Sequence, residues 1–349
     1  MTKHDRRQDD VFMRRALQLA GYGSGQVSPN PLVGCVIVSG GAIIGEGWHQ
    51  QYGESHAEVN AVNSVADISL LCESTLYVNL EPCSHFGKTP PCADMLIANK
   101  VKRVVVSNTD CNPLVSGRGI RKLEDAGIAV TTSVLEHDGR VLNRRFFTMI
   151  EKKRPYIILK WAETADGFMA RENYDSRWIS NEYSRQLTHK WRAEEDAILV
   201  GTNTAARDNP QLTVRSWTGR NPVRIVIDRM MQLEGGLHLF DHQSMTMRYN
   251  VIQDAEERNL LSIRIENNNF LENMVQDLYD RKIQSLFVEG GPHTLNQFIQ
   301  HNLWDEARIF RSPQRFEKGI PAPVLKGSGT TEGIFDDYLT IMYNNLQVG

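Results

Sequence analysis

The sequence predicts an α/β protein with two successive domains. Its 349 residues are about twice the commonest domain size of roughly 100 to 200 residues. Strand-like runs alternate with helical patterns in both halves, which is typical of a sheet covered by helices. Clustered charge and a helix-breaking proline within residues 144–155 indicate a segment between two cores. We therefore expect a domain over residues 1–148 and another over residues 149–349.

The first domain begins with a predicted helix. From Asp9, a residue type suited to a helix N-cap, the apolar Phe12, Ala16 and Leu19 recur at helical spacing and end at Gly21. Two apolar runs around a Ser-Gly-Gly turn then predict a hairpin. The elements predicted after the helix are hairpin strands over 33–38 and 42–48, a helix over 56–66, a strand over 75–80, a helix over 91–99, a strand over 101–107, a helix over 119–126 and a strand over 128–132.

The second domain is predicted to open with a strand over 156–159, directly after the proline at 155. Further apolar runs predict strands over 197–201, 222–228 and 285–289. The sequence shows no internal repeat and no low-complexity tract. A second α/β layer is therefore expected.

Composition limits the classes of function. Thirty-nine basic and 42 acidic residues give a net charge of −3, with 41% hydrophobic residues, as in soluble globular proteins. The longest apolar run, 32–38, is far shorter than the ~18 residues that span a bilayer, and the N-terminal segment lacks the apolar core of a signal peptide. Five cysteines without export signals indicate reduced thiols for metal binding or catalysis. These features predict a cytoplasmic protein that does not span a membrane. No basic stripe is present, so we expect small-molecule chemistry and no binding of nucleic acid.

A metal-binding pattern is the strongest chemical signal. His56, Cys83 and Cys92 are ligand-type residues, and hydrolytic zinc takes three protein ligands and leaves one position for water, whose pKa falls to about 7. Glu58 lies two residues beyond His56 at the start of the same predicted helix. From there it can take a proton from water and pass it to a leaving amine without binding the metal. The pattern predicts a zinc-dependent deaminase.

A structural zinc site is the competing interpretation. Such a site usually closes with a fourth ligand, which Cys35, Cys72, Cys111 or His85 can supply. The two cysteines can also be small buried hydrophobes. Glu58 and the Pro-Cys step favour the deaminase signature, although that signature usually has Cys-x-x-Cys and the gap here is wider.

The segment 81–92, EPCSHFGKTPPC, resembles the N-terminal domain of the bifunctional riboflavin-biosynthesis deaminase/reductase family. Further matches are PNPLVGC at 29–35, GEGWH at 45–49 and NP at 112–113. The resemblance implies a cytidine-deaminase-like three-layer fold. It also implies that the substrate is the diaminopyrimidinone ribosylamino 5'-phosphate.

The same resemblance assigns substrate contacts in this domain. It implies that Asn30 and His49 hold the pyrimidine, and that His85 and Lys88 face the phosphate. A phosphate dianion needs a cation and hydrogen-bond donors close to it, which the loop between the two cysteines can provide.

The second half carries a weaker signal when taken alone. The run FVEGGP at 287–292 predicts a buried strand, a glycine turn and a helix with proline in its first turn. Backbone N–H groups at such a turn can bind phosphate. The run is not Gly-x-Gly-x-x-Gly, and a turn without any ligand fits the pattern equally well.

Other segments resemble the C-terminal reductase domain of the same family over about residues 155–300: KWA at 160–162, SRWIS at 176–180, GTNT at 201–204 and RDNPQLTVR at 207–215. The resemblance implies a dihydrofolate-reductase-like fold that uses NADPH to reduce the ribosyl group to ribityl. The NADPH contacts that it implies are Ala162, Trp178, Thr204, Asp208, Gly291, Pro292, His293, Thr294, Leu295, Asn296 and Gln297. The substrate contacts that it implies are Ser176, Arg192, Leu212, Arg215 and Glu289.

Two of these positions are expected to act in the reduction. We place Lys160 and Asp208 near the reacting sugar and the nicotinamide, because the protein must align the carbon that gives the hydride with the sugar carbon. Arg192 and Arg215 suit bidentate binding of phosphate. Arg207 departs from the family pattern and puts a cation beside the expected cofactor site. The segment 311–316 also departs from it, so the last strands and the subunit contacts stay open, and a homo-oligomer is compatible with the sequence.

Three functions fit the sequence. The first is a bifunctional deaminase and reductase that carries out two successive steps towards riboflavin. The second is a nucleoside or tRNA-type deaminase whose second domain binds a nucleotide without catalysis, which the wide cysteine spacing disfavours. The third is a regulatory module held by a zinc ion with four protein ligands.

Overall fold

The computed structural model describes residues 3–84, 90–112, 116–173, 179–327 and 329–344. The chain divides into two compact units, Met1–Lys152 and Lys153–Gly349. The division lies four residues after the expected boundary at 148. The reason is a helix over Arg144–Lys152 whose Phe146 and Phe147 pack with Leu80 of the first unit.

The first unit is a three-layer α/β sandwich. Its five-stranded sheet has the order β2-β1-β3-β4-β5, with β1 antiparallel to both neighbours and β3, β4 and β5 parallel. Its elements are α1 Lys3–Gly21, β1 Gly34–Ser39, β2 Ala42–Trp48, α2 Ala57–Asn63, a short 3₁₀ helix Ile68–Glu73, β3 Thr75–Leu80, α3 Cys92–Ala98, β4 Arg103–Asn108, α4 Arg118–Asp125, β5 Ala129–Thr131, α5 Glu136–Leu142 and α6 Arg144–Lys152.

Alternating side chains of β1 face two different cores. Cys35 and Ile37 pack with α2, α3 and α4 on one face of the sheet, and Val36 and Val38 pack with α1 on the other. Both faces are covered, so the run 35–38 is apolar without alternation. A Cβ at Gly34 would clash with the backbone of α1, so glycine permits the close approach of helix and strand.

The predicted N-cap at Asp9 was wrong. Asp9 lies inside α1, and its buried carboxylate accepts hydrogen bonds from Tyr77 and, through both oxygens, from Arg103. The carboxylate therefore joins the helix to the sheet and does not begin the helix. The other predicted elements of this unit occur with ends shifted by up to three residues, and α5 and α6 were not predicted.

The second unit is built on a ten-stranded sheet of order β11-β12-β10-β9-β8-β13-β6-β14-β17-β16. The strands from β12 to β14 in this order are parallel, and β11, β17 and β16 are antiparallel to their neighbours. Its elements are β6 Tyr156–Glu163, β7 Phe168–Ala170, α7 Glu182–Glu194, β8 Ala197–Gly201, α8 Thr202–Asp208, β9 Val223–Ile227, a short 3₁₀ helix His238–Phe240, β10 Thr246–Asn250, β11 Ala255–Glu257, β12 Leu260–Arg264, α9 Phe270–Asp280, β13 Ser285–Gly290, α10 Pro292–Gln300, β14 Glu306–Arg311, β15 Ile320–Pro321, β16 Gly329–Ile334 and β17 Asp337–Tyr343. Strands β7 and β15 form a separate pair.

Helices cover both faces of the central parallel strands. Trp191 of α7 packs with Phe287 and Phe310 on one face, and Met274 of α9 and Phe298 of α10 lie in the core on the other. The carboxyl ends of β6, β8, β9 and β13 meet at one edge of the sheet, where ligands of open parallel sheets usually bind. Among the helices that the structure describes, none combines the length and apolar character needed to cross a bilayer.

A buried ion pair lies at the start of β6 and β14, two neighbouring parallel strands of the second unit. Arg154 donates from two nitrogens to Asp305 at 2.6 and 2.7 Å, and Asp305 also accepts the Ile157 N–H. Removing one partner of a buried pair leaves an uncompensated charge. We expect Asp305→Asn to lower the free energy of unfolding of this unit by about 3–5 kcal/mol.

Urea titration followed by tryptophan fluorescence measures this loss. The exposed Glu332→Gln variant is the control, and we expect it to change stability by less than about 0.5 kcal/mol. Equal midpoints for the two variants would contradict the assignment of a stabilising role to the pair.

Candidate active sites

Three ligand-type side chains converge in the first unit. His56 directly precedes α2, Cys83 follows β3, and Cys92 begins α3. Their ligand atoms all lie within 4.8 Å of one another, and the two sulfurs are 3.6 and 3.4 Å from Nδ1 of His56. Zinc–nitrogen and zinc–sulfur bonds of about 2.0–2.3 Å at tetrahedral angles separate ligand atoms by roughly 3.5 Å. The cluster therefore fits one tetrahedral zinc ion.

The backbone of α3 helps to place the two sulfurs. The Cys92 N–H points at the Cys83 sulfur over 3.3 Å, and the Ala93 N–H donates to the Cys83 carbonyl at 3.1 Å. The Cys92 N–H favours the thiolate form of Cys83 that zinc binds, and the Ala93 N–H fixes the backbone of Cys83.

A fourth protein ligand is absent from the part of the cluster that the structure describes. Cys35 is fully buried in β1, Cys72 is exposed on the 3₁₀ helix, and Cys111 packs near Phe146. His85 lies outside the described residues. A site with three ligands is the catalytic arrangement, which leaves one coordination position open.

Glu58 lies in the first turn of α2 beside the two cysteines. It is only 3% exposed. Burial, and then the charge of Cys83, raise the pKa of Glu58 to about 7. A carboxyl group with a pKa near neutrality can both accept and donate a proton at physiological pH.

Asn30 and His49 are neighbours of this cluster. The His49 ring packs edge-on against His56 with 5.7 Å between centroids. Its Nδ1 lies 3.0 Å from the Ser55 carbonyl oxygen and therefore carries the proton, so Nε2 accepts from the Asn30 amide at 3.1 Å. Burial lowers the pKa of His49, which keeps the ring neutral. Lys88 and His85, expected to face the phosphate, lie outside the described residues.

The second unit contains a cavity of about 830 Å³ at the carboxyl ends of its central strands. Ser176 and Trp178 lie outside the described residues. The residues expected from sequence that line the cavity are Lys160, Ala162, Arg192, Thr204, Asp208, Leu212, Arg215, Glu289, Gly291, Pro292, His293 and Thr294.

Three expected NADPH contacts do not line this cavity. Leu295 is fully buried in the core, because the turn of α10 points its side chain towards the sheet. Asn296 and Gln297 follow it further along the helix and are not among the lining residues. The first turn of α10 faces the cavity, and the cofactor contacts implied for 295–297 stay a prediction.

An ion pair with a nearby lysine forms the polar centre of the cavity. Arg192 donates through Nε and Nη2 to the two oxygens of Glu289 at 2.7 and 2.8 Å. Burial alone would raise the pKa of Glu289, but Arg192 and Lys160 hold it down at about 2. Burial lowers the pKa of Lys160, and Glu289 opposes that shift. The carboxylate is therefore ionised and is held by Arg192.

Three further residues of α7 line the cavity and were missed from sequence: Arg185, Thr188 and His189. Arg185 and His189 precede Arg192 by seven and three residues, which is one face of a helix. The helical spacing before Arg192 was the signal that could have revealed them. Nδ1 of His189 accepts the Arg215 N–H at 3.3 Å. Burial and the nearby Arg192 and Arg215 lower the pKa of His189 to about 4, so the ring is neutral at physiological pH.

The turn from β13 to α10 is shaped for close approach of an anion. Gly290 has a φ of 106°, which favours glycine, and Pro292 occupies the first turn of the helix. The Gly291 N–H donates to the Thr204 hydroxyl at 2.8 Å and so links this turn to α8. A helix N-terminus that opens on a cavity suits the pyrophosphate of a dinucleotide.

The cavity is basic although the whole chain is slightly acidic. Its described lining contains six cationic side chains and three carboxylates. The cations are Lys160, Arg185, Arg192, Arg207, Arg215 and Arg229, and the carboxylates are Asp208, Asp228 and Glu289. Arg229, just after β9, was also missed from sequence, because no motif marked it. The excess of positive charge fits NADPH and a phosphorylated substrate.

Comparison with known proteins agrees with these sites. Residues 6–108 match the cytidine and deoxycytidylate deaminase zinc-binding region, and residues 155–316 match the RibD C-terminal domain. The riboflavin biosynthesis protein RibD of Aquifex aeolicus is 40% identical over 318 residues, covering 89% of each chain. RibD of Escherichia coli is 37% identical over 326 residues, covering 88% of each chain.

Solved structures match over nearly the whole chain. A diaminohydroxyphosphoribosylaminopyrimidine deaminase/5-amino-6-(5-phosphoribosylamino)uracil reductase from Thermotoga maritima has a TM-score of 0.90 at 37% identity, covering 97% of this chain and 99% of the other. RibD of Acinetobacter baumannii has a TM-score of 0.86 at 30% identity with the same coverage. The matches confirm the predicted folds of both halves and do not favour a deaminase with a non-catalytic second domain. The chain belongs to the RibD family of bifunctional riboflavin-biosynthesis deaminase/reductases.

Proposed function

We propose that each unit of this chain catalyses one of two successive steps. The first unit removes an amino group of the diaminopyrimidinone ribosylamino 5'-phosphate by hydrolysis and releases ammonia. The second unit reduces the ribosyl group of the product to a ribityl chain. The observation that carries the proposal is the cluster of His56, Cys83 and Cys92 beside the buried carboxyl group of Glu58. Zinc and NADPH are the cofactors of the family. We also propose that the protein acts in the cytoplasm on a free small molecule and on no nucleic acid, which the net charge of −3 supports.

In the deamination, water adds to the ring carbon that carries the amino group, and ammonia leaves. Zinc, when bound, supplies a Lewis acid that makes water nucleophilic at neutral pH. Glu58 takes the proton of the attacking water and passes it to the leaving nitrogen, which its pKa near 7 permits in both directions. His49 and Asn30 orient the pyrimidine. Because the Asn30 amide nitrogen donates to His49, its oxygen is left as an acceptor for a pyrimidine N–H.

In the reduction, the bond between the anomeric carbon and the ring oxygen breaks. NADPH, when bound, supplies a hydride for that carbon. The ring oxygen must gain a proton, and we assign its delivery to Lys160, whose lowered pKa makes the ammonium a stronger acid. Glu289 keeps that ammonium in place. Asp208, at the end of α8, is assigned to orienting the nicotinamide and the sugar.

The two arginines expected to bind phosphate have different surroundings. Arg192 is occupied by Glu289 and by the Thr213 carbonyl, so we assign it to holding Glu289. The Arg215 guanidinium donates to neutral oxygens of Gln211 and Thr213, and the residue is exposed at the rim of the cavity. We therefore propose Arg215 as the principal partner of the substrate phosphate.

The order of the strands suggests a direction for the cofactor. The strands β6, β13, β8 and β9 lie side by side, about 14 Å from first to last at a spacing of roughly 4.8 Å. Lys160 is on β6, the glycine turn that leads into α10 follows β13, and Arg229 follows β9. We propose that NADPH lies across these ends with its nicotinamide towards β6 and its adenosine towards β9.

Glu58→Gln tests the deaminase assignment. The amide cannot move the proton, so we expect ammonia release to fall by about 10²–10⁴-fold while one zinc per chain is retained. Elemental analysis measures the metal, and an ammonia assay measures the reaction. Cys83→Ser is the companion variant, and it should lose the zinc. Full ammonia release by Glu58→Gln would contradict the assigned role.

Lys160→Met tests the reductase assignment. Methionine keeps the stem of the side chain and removes the acid, so we expect reduction of the deaminated substrate to slow by about 10²–10⁴-fold. Oxidation of NADPH, followed by its absorbance, measures the step. The exposed Lys282→Met is the matched control and should reduce normally. Loss of ammonia release in Lys160→Met would instead indicate a general folding defect.

Arg229→Met tests the direction of the cofactor. If Arg229 binds the extra phosphate on the adenosine ribose, losing one charge-assisted hydrogen bond of about 1.5–3 kcal/mol should weaken NADPH binding roughly 10- to 150-fold. NADH lacks that phosphate, so its dissociation constant should change little. Fluorescence titration with both nucleotides measures the difference. An equal loss for both would place the phosphate elsewhere.

A further inference from the structure

The buried carboxylate of Glu81 has no part in the roles proposed above. Glu81 follows the last residue of β3 and is 5% exposed. Its Oε1 accepts the N–H groups of Gly119 at 2.9 Å and Ile120 at 3.3 Å. Its Oε2 accepts those of Gly117 at 2.9 Å and Asp110 at 3.1 Å. One side chain thus satisfies four backbone donors at and before the first turn of α4.

Only a carboxylate can satisfy this set of donors. Each oxygen of Glu81 accepts two N–H groups. A glutamine has the same shape, but its NH₂ group is only a donor and would face two N–H groups in either orientation of the amide. The negative charge also interacts favourably with the start of α4.

This carboxylate lies two residues from a candidate zinc ligand. Pro82 joins Glu81 to Cys83, and its ring fixes φ, so a displacement of Glu81 is passed along the chain. A Cβ at Gly119 would clash with the Pro82 carbonyl oxygen. The first turn of α4 therefore packs directly on the step that leads to Cys83.

Cys83 is fixed from two sides. On one side, α3 donates N–H groups to its carbonyl oxygen and its sulfur at 3.1 and 3.3 Å. On the other side, the Glu81 N–H donates to the Asn108 carbonyl at 2.9 Å, and the Glu81 side chain binds α4. If the Glu81 side-chain anchor is removed, the segment from β3 to Cys83 loses its hydrogen bonds to α4 and keeps its backbone bond to β4, the contacts of α3 and the packing of Gly119 on Pro82.

We infer that Glu81 is a positioning residue of the deaminase site: its carboxylate holds the Pro82-Cys83 step on the first turn of α4 and so keeps the Cys83 sulfur at ligand distance from His56 and Cys92. The inference rests on the proposed function of the first unit. Glu81 touches neither the metal nor the substrate, and it acts through the backbone that carries Cys83.

The test compares Glu81→Gln with Glu124→Gln, which makes the same charge change at an exposed position of α4. We expect Glu81→Gln to weaken zinc binding by about 10–100-fold, as loss of supporting groups around metal ligands does. Competition with a chromophoric chelator measures the dissociation constant. The visible absorption of the cobalt-substituted protein should also change, because the sulfur ligands move.

Kinetics of the full-length protein supply an internal control. At saturating zinc, kcat for ammonia release should fall in Glu81→Gln while KM changes less than about threefold, because the pyrimidine contacts stay intact. Reduction of the deaminated substrate by the second unit should be unchanged. A merely structural role would lower the unfolding temperature without changing the cobalt spectrum or the zinc affinity of the folded protein.

Glu81→Asp keeps both oxygens but withdraws them by one methylene, so its zinc affinity should lie between those of the wild type and Glu81→Gln. If Glu81→Gln does not yield a folded first unit, Glu81→Asp decides the question. Wild-type zinc affinity and cobalt spectrum in the folded variant would overturn the inference. A wild-type protein without zinc or ammonia release would instead overturn the proposed function, so the two failures are distinguishable.

Discussion

Both candidate sites depend on the same constraint, which is that parallel strands bring their carboxyl ends to one edge of a sheet. In the first unit, Cys83 follows β3 and lies against the start of α3. In the second unit, β6, β8, β9 and β13 deliver side chains to one cavity. Cys83 and Cys92 lie 27 and 36 positions after His56 in the sequence. They meet His56 in space because these elements end or begin at the same edge of the sheet.

Buried charge has different consequences in the two units. In the first, burial dominates at Glu58 and His56 opposes it only in part, so the pKa of Glu58 rises to about 7. In the second, the Glu289 side chain is also mostly buried, at 10% exposed, but Arg192 and Lys160 reverse the effect of burial and hold its pKa at about 2. The difference in pKa between the two carboxyl groups is therefore set mainly by the charges next to each of them. Burial alone would raise both pKa values.

The low pKa of Glu289 also has a consequence for stability. A carboxylate whose pKa is depressed on folding stabilises the protein above its unfolded pKa of 4.5 and loses that contribution as the pH falls towards 2. The Arg192–Glu289 pair is therefore fully effective at neutral pH. At neutral pH the pair therefore holds two residues of the cavity lining in place.

The sequence was most informative where chemistry requires particular residues at fixed spacing. His56, Cys83, Cys92 and Glu58 follow from ligand type and local order, and the structure brings them together. The role of Asp9 was predicted wrongly because its partner Arg103 lies far away in the sequence. An aspartate that caps a helix and one that forms a buried ion pair look the same in a local sequence pattern. Contacts of this kind depend on tertiary packing, which local pattern does not contain.

The cavity shows the same limit in finer detail. The resemblance implies cofactor contacts over 291–297, and the structure lines the cavity with 291–294, because α10 turns the Leu295 side chain into the core. The contacts implied for 295–297 stay a prediction. Helical spacing before Arg192 could have placed His189 at the cavity, but sequence could not reveal that its ring is neutral, because that depends on burial and on Arg192 and Arg215 being close in space. A neutral imidazole there adds a donor without adding a further cation. The positive charge of the cavity is then concentrated on arginines, whose planar groups suit phosphates better than a ring that would change its charge with pH.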